Sequence, residues 1–126
     1  MIEFSTSGDI SIEVNGKRLA VAQSYRARTL RESRSVEAFG QREPVGVMSG
    51  RITHQIDLGR VQLLDEALGD GIDFYALSGF TLVIAKPGQR VIYSGCEWSG
   101  IDESAGLGTA VLESVTLIAA KRMVLS

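Results

Sequence analysis

The stretch Asp9-Ile-Ser-Ile-Glu-Val-Asn-Gly-Lys-Arg-Leu-Ala-Val-Ala22 decides the fold class. Ile10, Ile12 and Val14 fall on one side of an extended chain, and Ser11, Glu13 and Asn15 fall on the other. That period of two marks a strand with one buried face. Asn15-Gly16 then supplies two residues that tolerate positive φ, as a type I′ hairpin turn requires. The returning strand carries Leu19, Val21, Gln23, Tyr25 and Ala27 on one face and reads as far as Leu30, growing more charged on the way. A β-hairpin therefore opens the fold.

Working outward, residues 1–8 are polar around Phe4 and read as a loose arm that orders against a neighbour. Residues 31–46 read as a long polar connection holding Val36, Ala38 and Phe39, and a connection of that length is usually functional. From Val47 to Leu58 the alternation returns, with Met48, Ile52, His54 and Ile56 opposite Ser49, Arg51, Thr53, Gln55 and Asp57. Gly59 reads as its stop. Val61, Leu64, Ala67 and Leu68 recur at helical spacing, which predicts a helix over 60–68 with Gly69 beyond its end. Phe74, Tyr75 and Leu77 form a link. Residues 81–85 and 90–94 are a second hairpin around Lys86-Pro-Gly-Gln89. A soft loop through Asp102, Glu103, Ser104, Gly106 and Gly108 leads to a last strand over 109–120, followed by a tail over 121–126. Six or seven strands with one short helix define a mainly β fold, a sandwich or small barrel.

The bulk figures fit one domain over residues 1–126, long enough for a single core. Hydrophobic residues are 44% and aromatics only 6%, so Val, Ile, Leu and Ala must fill that core. A net charge of -2 argues against a surface that grips nucleic acid, which needs clustered cations to replace phosphate counterions. The charge is uneven, however. Arg26, Arg28, Arg31 and Arg34 crowd one segment, and Asp65, Glu66, Asp70 and Asp73 crowd another, so copies can meet head to tail. The single Cys96 permits no internal disulfide and suits a reducing compartment. With neither a signal-like start nor an apolar run of about 20 residues, a soluble protein made in the cytoplasm is expected.

Chemistry is poorly represented, and an enzyme is not expected. His54 alternates with Ile52 and Ile56 on a strand, the setting of a core or interface histidine and not of a triad base. Cys96 has no adjacent cation to lower its pKa and reads as a small buried residue. One His and one Cys cannot make a zinc site. Asp65, Glu66, Asp70 and Asp73 lack the spacing of a calcium loop. Gly69-Asp-Gly71 and Gly106-Leu-Gly108 lack the context of a phosphate-binding loop. No cofactor or metal is expected.

Asn15-Gly16-Lys17, then Leu19 and Ala22, then Val36-Glu-Ala-Phe-Gly40, Glu43-Pro-Val-Gly46 and a long strand from Gly50 give an order of parts that resembles the short tail tube proteins of contractile-tailed phages and related tailocins. The resemblance runs from about Gly8 to Ala120 and carries no catalytic signature. It implies a virion tail subunit, synthesised in the host bacterial cytoplasm. Such subunits stack as hexameric rings, their inner strands joined into one barrel around a channel. The implied partners are further copies, a tail sheath protein, a tape measure protein and a baseplate tube initiator, with DNA passing through the lumen unbound. Residues 1–8 and 31–46 would then reach the next ring. Arg26, Arg28, Arg31, Arg34, Val36, Phe39, Arg42 and Glu43 would make contacts between subunits, opposite Asp65, Asp70, Asp73, Asp102 or Glu103. Arg51, Thr53 and Gln55 would face either the channel or a neighbour. The alternatives are a tube initiator or tail terminator of the same fold, or a secreted tube-like component of a contractile injection system. A binding module or enzyme would instead carry a concave pocket with convergent polar groups.

Overall fold

Asn15 and Gly16 take positive φ, 54° and 80°, and the tight turn they make joins β1 (Asp9–Val14) to β2 (Lys17–Val36). The computed structural model describes residues 9–40, 42–103 and 111–126. Further along the chain come β3 (Gly46–Leu63), α1 (Asp65–Gly69), a 3-10 turn (Phe74–Ala76), β4 (Phe80–Lys86), β5 (Gln89–Glu103), β6 (Val111–Ala119) and β7 (Lys121–Leu125). The mainly β expectation holds, with seven strands among the described residues.

All pairings are antiparallel, in the order β4-β1-β2-β3-β6-β5-β7, and β4 also pairs with β5. That extra pairing closes a circuit of six strands. A closed circuit leaves no edge, so the body of one copy satisfies its own backbone. β6 and β7 lie along β5 in one register, Glu97↔Ile118 continuing as Ser94↔Lys121 past an interruption at Gly95 and Ala120. Inside the circuit Ile12, Ile56, Leu58, Val61, Phe80, Leu82, Ile84, Val115 and Leu117 are fully buried. Each contributes roughly 1.5–3 kcal/mol of transfer free energy.

Five elements differ from the sequence reading. Residues 31–36 are strand and not connection, because Arg34↔Met48, Ser35↔Val47 and Val36↔Gly46 continue the β2–β3 ladder. Only 37–45 is loop. The ribbon is wet on both faces, so it shows no alternation to read. Gly59 does not end β3, which runs on to Leu63 through Ala22↔Val61 and Val61↔Leu112. Gly59 is instead where Ser24 Oγ leaves no space for a Cβ, and Arg60 beside it takes a φ of 51°. That kink rephases the strand, and the rephased apolar spacing imitates a helix over 60–68. The true helix is the single turn α1. Beyond it, β5 extends to Glu103, and Lys121–Leu125 is a strand on β5 rather than a tail. The proposed residues 1–8 arm, Ser104–Gly108 of the loop, and Thr109 and Ala110 lie outside the described residues.

Gly95 sits at the interruption between β6 and β7 with φ 63°, where a Cβ would come within 2.9 Å of Ala120 Cβ. Gly95→Ala therefore carries both a left-handed backbone cost and a clash. It should lower the free energy of unfolding by about 1–3 kcal/mol. The urea midpoint measures this, and an unmoved midpoint would contradict the account of the bulge.

Candidate functional site

The most distinctive feature is a two-stranded ribbon that leaves the barrel. β1 pairs with β2 only as far as Ala22, and β6 pairs with β3 only from His54 onward. Among the described residues, 24–36 of β2 thus pair with β3 alone and 46–53 of β3 pair with β2 alone. Both outer edges of the ribbon are unpaired there, and unpaired edges are templates for another strand. Of the large apolar side chains that stay exposed, Leu30, Phe39, Val45, Val47, Met48 and Ile52 all lie on this ribbon or its loop. Phe39, near the tip, is fully exposed, at 106% of its reference area.

Cross-strand pairing fixes the faces of the ribbon's base. Tyr25, Ala27, Thr29 and Arg31 oppose Leu58, Ile56, His54 and Ile52, continuing the core side. Arg26, Arg28 and Leu30 oppose Asp57, Gln55 and Thr53 on the outer side. The outer rows run on across the sheet, Arg26–Asp57–Thr116–Gly100 and Arg28–Gln55–Ile118. Thr116 Oγ1 donates to Asp57 Oδ1 at 2.9 Å, and Ser114 Oγ donates to Asp102 Oδ2 at 2.7 Å. The outer face of β2-β3-β6-β5 is therefore a curved polar surface. Arg51 stands at the irregularity between Arg31 and Ser33 that bends the ribbon, exposed to solvent.

Arginines crowd the ribbon end of β2, with Glu32 the one acid of the strand among them, and Lys17 and Arg18 stand at its start. Arg26, Arg28, Arg31, Arg34 and Arg42 occupy the ribbon end, joined at the tip by Glu43, and none has an ion-pair partner among the described residues. Asp65, Glu66 and Asp70 lie at the opposite end, where Lys17 at the start of β2 holds Asp70 at 2.7 Å. This neighbour raises the Lys17 pKa, through the hydrogen bond first and charge second. At about 3.3 Å per residue, Lys17 and Arg34 are some 50–60 Å apart along the strand. Most of the acids expected to meet those arginines have uses inside their own chain. Asp73 accepts from Tyr75 N, Asp102 from Ser114 and Glu103 from the Tyr75 hydroxyl, the last raising the Tyr75 pKa. Asp65 has no such partner among the described residues. Val36 is half-buried under the loop closure Val45 N to Val36 O at 2.8 Å.

His54 is half-buried, with Nδ1 3.0 Å from Thr29 Oγ1 and its ring edge-on to Tyr93. Cys96 is wholly buried, and burial pushes its thiol up to about 11, which leaves it protonated at neutral pH. No group of three or more His, Cys, Asp or Glu residues able to hold a metal occurs among the described residues, and none of their helices is long and apolar enough to cross a membrane. Sequence reasoning missed β7. Met123-Val-Leu125 is a short apolar run, and that was the available signal.

No family model matches the chain, and no curated protein matches its sequence. Among solved structures, one match is a chain of a particle described as "Virion of native gene transfer agent (GTA) particle". The TM-score is 0.61 at 12% identity, over 99% of this chain and 100% of that one. The two chains share a fold from end to end.

Proposed function

We infer that this chain is a structural component of a phage-type virion, and specifically the repeating subunit of a tail tube, stacking as hexameric rings around a channel through which DNA passes. The ribbon carries this reading. A body that closes its own barrel has no need of two further half-strands with bare edges, exposed apolar side chains and unpaired arginines, unless another molecule completes them. The end-to-end likeness to a chain of a gene transfer agent virion supports the same class of role. Segregation of the arginines from Asp65 and Glu66 favours a repeating head-to-tail contact. Such heterologous contacts propagate instead of closing as a pair.

In this reading the outer face of β3-β6-β5 lines the lumen, with Thr53 and Gln55 on it and Arg26 at its margin, while Arg28 and Arg31, farther out on the ribbon, belong to the contact between copies. Asp57 beside Arg26 tempers the positive charge, so passing DNA meets little salt-sensitive grip. A sheath, a tape measure protein and a baseplate initiator would be the other partners. The role proposed is structural, and it asks no chemistry of His54, which meets Thr29, or of Cys96, which is buried and protonated. Concentrated protein should lengthen into open tubes visible by negative-stain microscopy. Single rings would point instead to an initiator or terminator. A monomer at every concentration would overturn the assembly reading altogether.

A further inference from the structure

Where the ribbon leaves the barrel, β3 and β7 part company. β6 follows β3 up to the pair His54↔Ala119, but β7 stays with β5 while the ribbon swings away. The gap is a cleft of about 600 Å³ lined by Ala27, Thr29, Ile52, His54, Tyr93 and Arg122. Its walls come from the core-side face of the ribbon and from Tyr93↔Arg122 on β5 and β7. The lining combines aliphatic surface, two rings meeting at 62° with centroids 5.9 Å apart, and an exposed guanidinium. Tyr93 is 3% exposed and its hydroxyl has no hydrogen-bond partner among the described residues. Such a site suits an aromatic side chain flanked by a carboxylate, the ring stacking edge to face and the carboxylate meeting arginine.

The protein carries that combination elsewhere. Phe39 projects fully into solvent with Glu37 two residues away, both on the 37–45 loop. Its own cleft is out of reach, because Phe39 lies about 30 Å along the ribbon from Thr29. The length of the body makes a neighbour's cleft reachable. From Lys17 to Thr29, β2 covers about 40 Å by the same measure. A ribbon whose base rests beside the α1 end of a second copy therefore carries its tip to the height of that copy's cleft. We propose that the cleft between β3 and β7 is the socket for the 37–45 loop of a second copy, with Phe39 seated against Tyr93, His54 and Ile52 and Glu37 facing Arg122. This rests on the assembly reading and adds its partner site, one specific to these side chains.

The test mixes two full-length single variants, Phe39→Cys and Arg122→Cys, under mild oxidation. Cys96 is buried and stays out of the reaction. The expected product is a mixed disulfide between the two variants, exceeding either self-disulfide. Phe39→Ala should raise the concentration needed for assembly by about 10- to 30-fold, as loss of a buried aromatic anchor does. Arg122→Glu should weaken assembly similarly, and adding Glu37→Arg should restore it. Tubes or rings that form without the 39–122 cross-link, and that tolerate Phe39→Ala, would overturn the socket while leaving the assembly reading standing. Absence of any oligomer would overturn both.

Discussion

Phe80→Ala should lower the free energy of unfolding by about 3–5 kcal/mol, the cost typical of emptying a phenylalanine site in a packed core. Phe80 is wholly buried at the start of β4, its ring 6.1 Å from that of Phe74, and it pairs across the sheet with the buried Cys96. Its neighbours are themselves packed in the core, so the space left behind is filled only in part. A domain of this size is stable by only about 5–15 kcal/mol, so the change removes a large share. Phe39→Ala is the matched control. The same atoms are deleted from a side chain already in water, and stability should move by no more than about 0.5 kcal/mol. Both are read from urea unfolding followed by circular dichroism, at dilution low enough that assembly does not contribute. A cost below about 1 kcal/mol for Phe80→Ala would mean that the β4–β5 closure of the barrel is misplaced.

The comparison of these two phenylalanines also shows what the sequence could and could not disclose. Ile10 and Ile12, set before Asn15-Gly16, announced a hairpin because burial of one face forces alternation, and the structure buries both. The second hairpin was legible for the same reason, through Leu82, Ile84, Val91 and Tyr93. Alternation is silent where a strand has water on both sides, so residues 31–36 resembled a loop, and it misleads where a kink shifts the phase, as at Arg60. Closure of the barrel was invisible, because the β4–β1 and β3–β6 pairings join segments with no local signal of each other. Unpaired edge is therefore left, among the described residues, along the ribbon and the outer side of β7. Arg26–Arg34 stood out by composition, but their distance from Asp65 along β2 depends on the strand being 20 residues long. The cleft escaped notice because Tyr93 and Arg122 belong to different segments of the chain, brought opposite each other only by β5–β7 pairing.

Reversing two of those arginines, Arg28→Glu with Arg31→Glu, should abolish tube formation while leaving the monomer folded. Arg28 lies on the outer face of the ribbon opposite Gln55, and Arg31 on the other face opposite Ile52. Both are exposed and neither has a carboxylate partner among the described residues, so stability should change by no more than about 0.5 kcal/mol. Each reversal changes the charge by two, taking the chain from -2 to -6, and the change is concentrated at the end meant to approach Asp65 and Glu66. Like charges brought together at an interface cost several kcal/mol, enough to stop an assembly in which every added copy makes the same contact. Three measurements separate this from general electrostatic repulsion. Wild-type assembly should weaken as salt is raised toward 1 M, where the screening length falls to about 3 Å. Two reversals elsewhere, such as Lys121→Glu with Arg90→Glu, carry the same net charge and should do less harm. Asp65→Lys with Glu66→Lys, placed in the Arg28→Glu, Arg31→Glu background, should recover tubes. Long tubes from the doubly reversed ribbon at physiological ionic strength would remove the ribbon's arginines from the contact between copies, and with them the head-to-tail polarity inferred from the two ends of β2.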